Sequence, residues 1–386
     1  MDIKSHSLLP RLGDQLNLMI TEANKGPLVR MLLNGEQFDQ LERMVFEQEQ
    51  STLHGFEQFS DLELIYYYVH KPTYDDNAKN RKAQTKKEYL RDLLQFLSFF
   101  QYSAQAEQRD SSSLIRSLKK VHIRQYQQWL KEVVRIDGKM GYPASTRTRK
   151  NAVVKGFLNW LYDEDVTEQP LHVAFRKSTT RRDEKPDRYL SVGEVQSLLQ
   201  YYKDHPINHA ILILLITTGL RIDEIASATW GDVYQDSSVR QNAYYLKVIG
   251  KGNVVRHARL MDPVMDSIRR FRKRRNLTCE LDPLNTEPLL CSNTGRFYSY
   301  KYLSNVVIHL IKKTGFKWVT QKEGNISPHW FRHFFVNYSV VELQLPIQQV
   351  QRTVGHASSQ TTEGYVSQYM LKKNDASLHW DERLFQ

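Results

Sequence analysis

At 386 residues the chain exceeds what one ordinary core supports, so at least two domains are expected. Its 54 lysines and arginines outnumber 43 acidic residues, for a formal charge of +11 and a pI near 9.3; this basic excess, spread over short clusters, suits a surface that meets a polyanion, nucleic acid before an acidic membrane. No apolar run approaches the roughly 18 residues of a spanning helix, the start "MDIKSHSLLPRLGDQL" lacks a secretion signal, and the two cysteines fit no metal spacing or disulfide framework, which predicts a soluble cytoplasmic protein with no metal or cofactor and with Cys279 and Cys291 buried as small residues.

Residues 1–58 read as an accessory helical segment: Phe38, Leu41, Val45 and Phe46 can share one apolar face, but they carry no chemistry. Residues 59–172 read as a domain of amphipathic helices. In "TKKEYLRDLLQFLSFF" a basic start, Lys86 and Lys87, precedes Tyr89, Leu93, Leu94, Leu97 and Phe100 at the helical period. After Pro143, "ASTRTRKNAVVKGFLNWLY" joins a Ser145 or Thr146 cap to Arg147, Arg149, Lys150 and Lys155, opposite Val153, Val154, Phe157, Leu158 and Leu161. One side can pack while the other meets phosphates, although such a helix standing alone reads equally as a solvated basic face.

Residues 173–188 form a basic linker: "RKSTTRRDEKPDR" is highly charged, lacks aliphatic residues and holds Arg181, Arg182 and Pro186. Ser191, with Glu194 three residues on, restarts helix at "SVGEVQSLLQYY", which places a second domain at 189–386. This second domain is mainly helical with one hairpin signal, "AYYLKVIGK" and "VVRHARLM" around "GKGN". The fold class is therefore mainly α with a small β-sheet in the second domain (α+β).

Four stretches of the second domain carry polar groups of a matching kind. In "ILILLITTGLRIDEI" an apolar helix breaks at Gly219, and Arg221 opens the next helix with Glu224 one turn on; the pair can serve a phosphate or be a structural ion pair. Lys251 sits at the "GKGN" turn, with Lys247 a weaker competitor. In "SPHWFRHFFVNY", Pro328 starts a helix that puts His329 and Arg332 on one face. His329 and His333 have the spacing of a helical zinc pair, but Trp330 stands where such a motif needs glutamate. In "TVGHASSQTTEGYV", Gly355 ends a helix, His356 follows, and Thr361 or Thr362 caps a short helix carrying Tyr365. Alone, Tyr365 reads as a packing residue.

Together, two arginines, a lysine, two histidines and a tyrosine are the groups needed to cut a phosphodiester without metal. Arg221 and Arg332 can neutralise non-bridging oxygens as charge builds. Lys251 can protonate the departing 5′ oxygen. Tyr365 can attack phosphorus, with His329 as proton acceptor and His356 as a further donor to the phosphate.

In order and spacing, "TTGLRIDEI", "VIGKGN", "HWFRH" and "VGHASSQTTEGY" resemble the tyrosine recombinase, or phage integrase, family. The family pattern falls on Arg221, Lys251, His329, Arg332, Gly355, His356 and Tyr365, while residues 59–172 resemble its helical core-binding domain. Residues 1–58 lack the strand-rich pattern of an arm-binding domain. The resemblance implies a C-shaped two-domain clamp on duplex DNA and a 3′-phosphotyrosine intermediate. It also implies strand exchange through a Holliday junction in a homotetramer, in which the apolar tail "SLHWDERLF" docks on a neighbouring subunit; the alternative is that the tail packs on its own domain. The expected role is integration, excision or transposition of a mobile element. The alternatives are a chromosome or plasmid resolvase of the same family, a telomere resolvase or type IB topoisomerase without strand exchange, and a catalytically inactive DNA-binding regulator.

Overall fold

The computed structural model describes residues 19–50, 55–106, 113–135, 137–177, 188–238, 241–250, 254–322, 326–355, 380, 381 and 383. The chain divides into two compact units, Met1–Glu184 and Lys185–Gln386. Helix dominates both; the sheet lies in the second unit, giving the mainly α architecture that the sequence predicts. No helix among the described residues is long and apolar enough to cross a membrane.

The first unit is built from α1 (Glu22–Leu32), α2 (Phe38–Gln50), α3 (Asp61–His70), α4 (Ala83–Ala106), α5 (Lys120–Glu132) and α6 (Ala144–Asp163). One aromatic-rich core runs through all of them: Leu28 and Leu32 of α1 and Leu41 and Val45 of α2 are buried with Tyr66, Phe96, Tyr126 and Phe157. The described part of residues 1–58 therefore shares this core rather than standing apart from it. The backbone is tied in as well, since Ser98 Oγ donates to the Ile20 carbonyl at 2.9 Å and Tyr66 Oη to the Asn34 carbonyl at 2.9 Å. Helix α6 starts at Ala144, two or three residues earlier than a Ser145 or Thr146 cap predicts, so Pro143 takes the cap position and Ser145 and Thr146 lie inside the first turn.

The second unit opens with the expected Ser191–Glu194 capping box at the head of α7 (Val192–Tyr201). Its centre is α8 (Pro206–Thr218), apolar on every side and buried from Ala210 to Ile216, each large side chain contributing about 1.5–3 kcal/mol by leaving water. Around it stand α9 (Ile222–Ser227), α10 (Asp262–Arg274), α11 (Tyr300–Lys313), α12 (Lys317–Gln321), α13 (Pro328–Asn337) and α14 (Ile347–Val354). The predicted hairpin is β2 (Ala243–Ile249) with β3 (Val255–Leu260), and an unforeseen short strand, β1 (Val233–Asp236), extends it to an antiparallel sheet of order β1-β2-β3. Strand β3 alternates strictly, turning Arg256, Ala258 and Leu260 inward. Of the cysteines, Cys291 is buried in this core and Cys279 is partly exposed.

Candidate active site

Gly219 ends α8 in the left-handed conformation (φ 62°), where a side chain is strained; a Cβ there would also lie 2.6 Å from the Phe335 ring. The turn that follows delivers Arg221 to the head of α9. Glu224 fixes it twice: one carboxylate oxygen accepts from the Arg221 backbone N–H at 2.7 Å, the other from Arg221 Nη1 at 3.1 Å. That second oxygen also accepts from Arg256 Nη2, so a carboxylate with a side-chain exposure of 2% is shared by two guanidinium groups. Burial of this carboxylate is tolerable because both cations and an N–H satisfy it.

Pro328 starts α13 as expected and sets His329 and Arg332 one turn apart. Arg332 is 1% exposed, and its guanidinium joins two other segments: Nη1 donates to the Gly219 carbonyl at 2.6 Å and Nη2 to the Val354 carbonyl at 2.5 Å. Helix α14 then ends at Gly355 (φ 65°) as predicted. Arg221, His329 and Arg332 border one cleft of about 220 Å³, together with Asp223, Ser304 and Ser327. Residues more than a hundred positions apart are thus brought to a single opening.

His329 keeps an exposed edge, but burial of its imidazole, followed by the nearby charges of Arg188, Arg332 and Arg221, pushes its pKa down to about 4. At neutral pH the ring is uncharged and able to accept a proton. His333 meets it edge to face, ring centroids 5.1 Å apart. No group of three or more potential metal-ligating His, Cys, Asp or Glu residues occurs among the described residues.

Lys251, His356 and Tyr365, with the expected Thr361 or Thr362 cap, lie outside the described residues, as do Arg181 and Arg182 of the linker. Lys251 directly follows Gly250, whose N–H donates to the Val254 carbonyl at 2.8 Å, and His356 directly follows Gly355. In the tail, Trp380 is described and exposed.

The basic residues expected to face phosphates divide. Lys155 is exposed. Lys87 is half-buried, and Lys86, also half-buried, donates to His70 Nδ1 at 3.2 Å. Arg147 donates to the Tyr142 carbonyl at 2.6 Å, and Arg149, about half exposed, forks onto the Asp92 carboxylate at 2.6 and 3.2 Å. Lys150 is a correction: it is buried, donates to Asp92 Oδ1 at 2.8 Å and Gln95 Oε1 at 2.6 Å, and lies over the Tyr142 ring. Its ammonium compensates a buried carboxylate, and this removes it from the phosphate-facing surface. Arg256 was not singled out from sequence. The available signal was an arginine at an inward position of the alternating "VRHARL" strand.

Residues 188–372 match the Phage integrase family. Among curated proteins, the chain is 27% identical over 292 residues to "Tyrosine recombinase XerC" of Natranaerobius thermophilus, covering 74% of this chain and 89% of the relative. It is 25% identical over 297 residues to "Tyrosine recombinase XerD" of Rickettsia bellii, covering 75% and 90%. Among solved structures, the fold is similar to the XerH site-specific recombinase bound to palindromic difH substrate (TM-score 0.62, 17% identity, 92% of this chain and 95% of that one). It is also similar to the Tn1549 transposon integrase in complex with circular intermediate DNA (TM-score 0.52, 18% identity, 80% and 95%). The matching domain over residues 188–372, the recombinase relatives and a fold shared with recombinases together support the tyrosine recombinase family, whose members cleave and rejoin DNA strands.

Proposed function

We propose that the protein is a site-specific recombinase that cuts duplex DNA with Tyr365 and exchanges strands between two sites. The convergence of Arg221, Arg332 and an uncharged His329 on one cleft carries this reading. In the proposed step, Tyr365 Oη bonds to phosphorus while the bond to the 5′ oxygen breaks. The phenol proton passes to His329, and Lys251 supplies a proton to the departing oxygen. Arg221, Arg332 and His356 hold the non-bridging oxygens as charge builds on them. The phosphotyrosine conserves the energy of the broken bond, so rejoining requires neither ATP nor a divalent metal.

Both units contribute to holding the duplex, the first through basic residues such as Lys155 and Arg149, and Arg181 and Arg182 of the linker add phosphate contacts. The synapse is a homotetramer on two duplexes, passing through a Holliday junction. A lambda integrase tetramer bound to a Holliday junction has a similar fold, which supports this arrangement by analogy. The biological role is integration, excision or transposition of a mobile element. A second reading, resolution of chromosomes or plasmids, is favoured by the Xer names of the curated relatives.

The deciding experiment traps DNA on the protein and sequences it. Unaltered protein should form a covalent adduct at a discrete site, and Tyr365→Phe should lose the adduct while keeping DNA affinity. Two marked duplexes bearing the recovered site should then exchange strands; relaxation without exchange would instead make this a topoisomerase-like enzyme, and the absence of any adduct would overturn the catalytic reading. The location of the recovered sites, at element ends or at one chromosomal locus, separates the two biological readings.

A further inference from the structure

Arg256 has no part in the step proposed above, yet it ties together the segments that carry that step. Strand alternation turns it inward, and it is 8% exposed. A guanidinium that deep is unfavourable unless its donors are met. Nη2 donates to the Glu224 oxygen that also holds Arg221, and Nη1 donates to the Thr353 carbonyl at 2.9 Å. The second acceptor lies at the C-terminal end of α14, where the helix dipole favours a cation.

Two glycines lie against Arg256, and one of them against Glu224 as well. A Cβ on Gly355 would lie 2.5 Å from Arg256 Cδ, and one on Gly250 would lie 3.2 Å from Glu224 Oε1 and 3.6 Å from Arg256 Nε. Gly250 immediately precedes Lys251, and Gly355 immediately precedes His356. The Arg256–Glu224 pair therefore touches the backbone from which two of the assigned groups depart and holds the guanidinium of a third.

We propose that Arg256 is a positioning residue for strand cleavage: together with Glu224 it sets the attachment points of Lys251 and His356 relative to Arg221. This rests on the roles assigned to those three groups. A planar guanidinium can donate along two directions at once, which an ammonium on a flexible stem does not reproduce, so Arg256→Lys should not restore full function.

The test uses full-length protein and a nicked duplex carrying the site recovered by trapping. Displacement of catalytic groups by about an ångström lowers rates by about 10²-fold, so Arg256→Met should reduce single-turnover cleavage at saturating DNA by about that factor. DNA affinity should be unchanged, and circular dichroism should show the variant folded at the assay temperature. A second duplex, with sulfur replacing the bridging 5′ oxygen, releases a thiolate that needs no proton donor. It should recover about tenfold or more of the lost rate, because a misplaced Lys251 then matters less. An unchanged cleavage rate would overturn the proposal, and so would a loss matched by the unfolded fraction with no recovery on the sulfur duplex. If unaltered protein forms no adduct, the reading of the site falls and this inference falls with it; if it does and Arg256→Met cleaves normally, only the inference falls.

Discussion

The Arg332 guanidinium donates to the Val354 carbonyl across 2.5 Å and, from its other terminal nitrogen, to the Gly219 carbonyl across 2.6 Å. One side chain of α13 thus joins the turn before Arg221 to the helix end before His356. Arg332→Met should leave both carbonyls without this donor, each at a cost of about 1–3 kcal/mol, in addition to the loss of phosphate neutralisation. Urea denaturation should show a lower midpoint; an unchanged midpoint would mean that these bonds do not hold the cleft together.

Glu224→Gln tests the shared carboxylate. The substitution keeps the shape but leaves two guanidinium groups facing a neutral amide, and breaking a buried ion pair in this way costs about 3–5 kcal/mol. A marked fall in thermal midpoint is expected, accompanied by slower cleavage because Arg221 loses its anchor. A variant as stable as the unaltered protein would show that the carboxylate contributes little to either.

The first unit offers a contrast between two lysines of α6. Lys155→Ala should weaken DNA binding and reduce the slope of log affinity against log salt by about 0.9, the value for one lost phosphate contact. Lys150→Met should leave that slope unchanged while destabilising the fold, because Asp92 loses one of its two cations. Measuring affinity from low to moderate salt distinguishes them, and a reduced slope for Lys150→Met would contradict its buried position.

His329 gives the pH dependence a sign. Its folded-state pKa, about 4, lies below the unfolded value near 6.5, so between these limits the unfolded chain binds more protons. Stability attributable to this residue is therefore complete above about pH 6.5 and is lost as pH falls toward 4. Urea midpoints should drop more between pH 7 and pH 5 for the unaltered protein than for His329→Gln. Equal drops would show that the ring is not held neutral by its surroundings.

Much of this was readable locally. The Ser191–Glu194 box, the Pro328 start and the Gly219 and Gly355 stops depend on residues within one turn of each other, and all appear where the sequence places them. Other features left a signal that was easy to pass over. Lys150 stands at the head of the stripe continued by Val153, Val154, Phe157, Leu158 and Leu161, and Arg256 stands in register with Ala258 and Leu260. Both are cations at inward positions, and in each case the acceptor that makes burial tolerable lies elsewhere in the chain: Asp92 for Lys150, Glu224 and Thr353 for Arg256.

By itself, the sequence determined the residue types of the chemistry, their order, and the helix boundaries that present Arg221, His329 and Arg332, because capping, turn and periodicity rules act over a few residues. Only the tertiary structure decided that these three share one cleft, that His329 is uncharged there, and that Glu224, Arg256 and Arg332 bind the walls of the cleft to one another. Those outcomes depend on burial and on hydrogen bonds between segments distant in sequence, and the cost of placing a charge or a carbonyl inside the protein is set by whichever partner the fold brings to it.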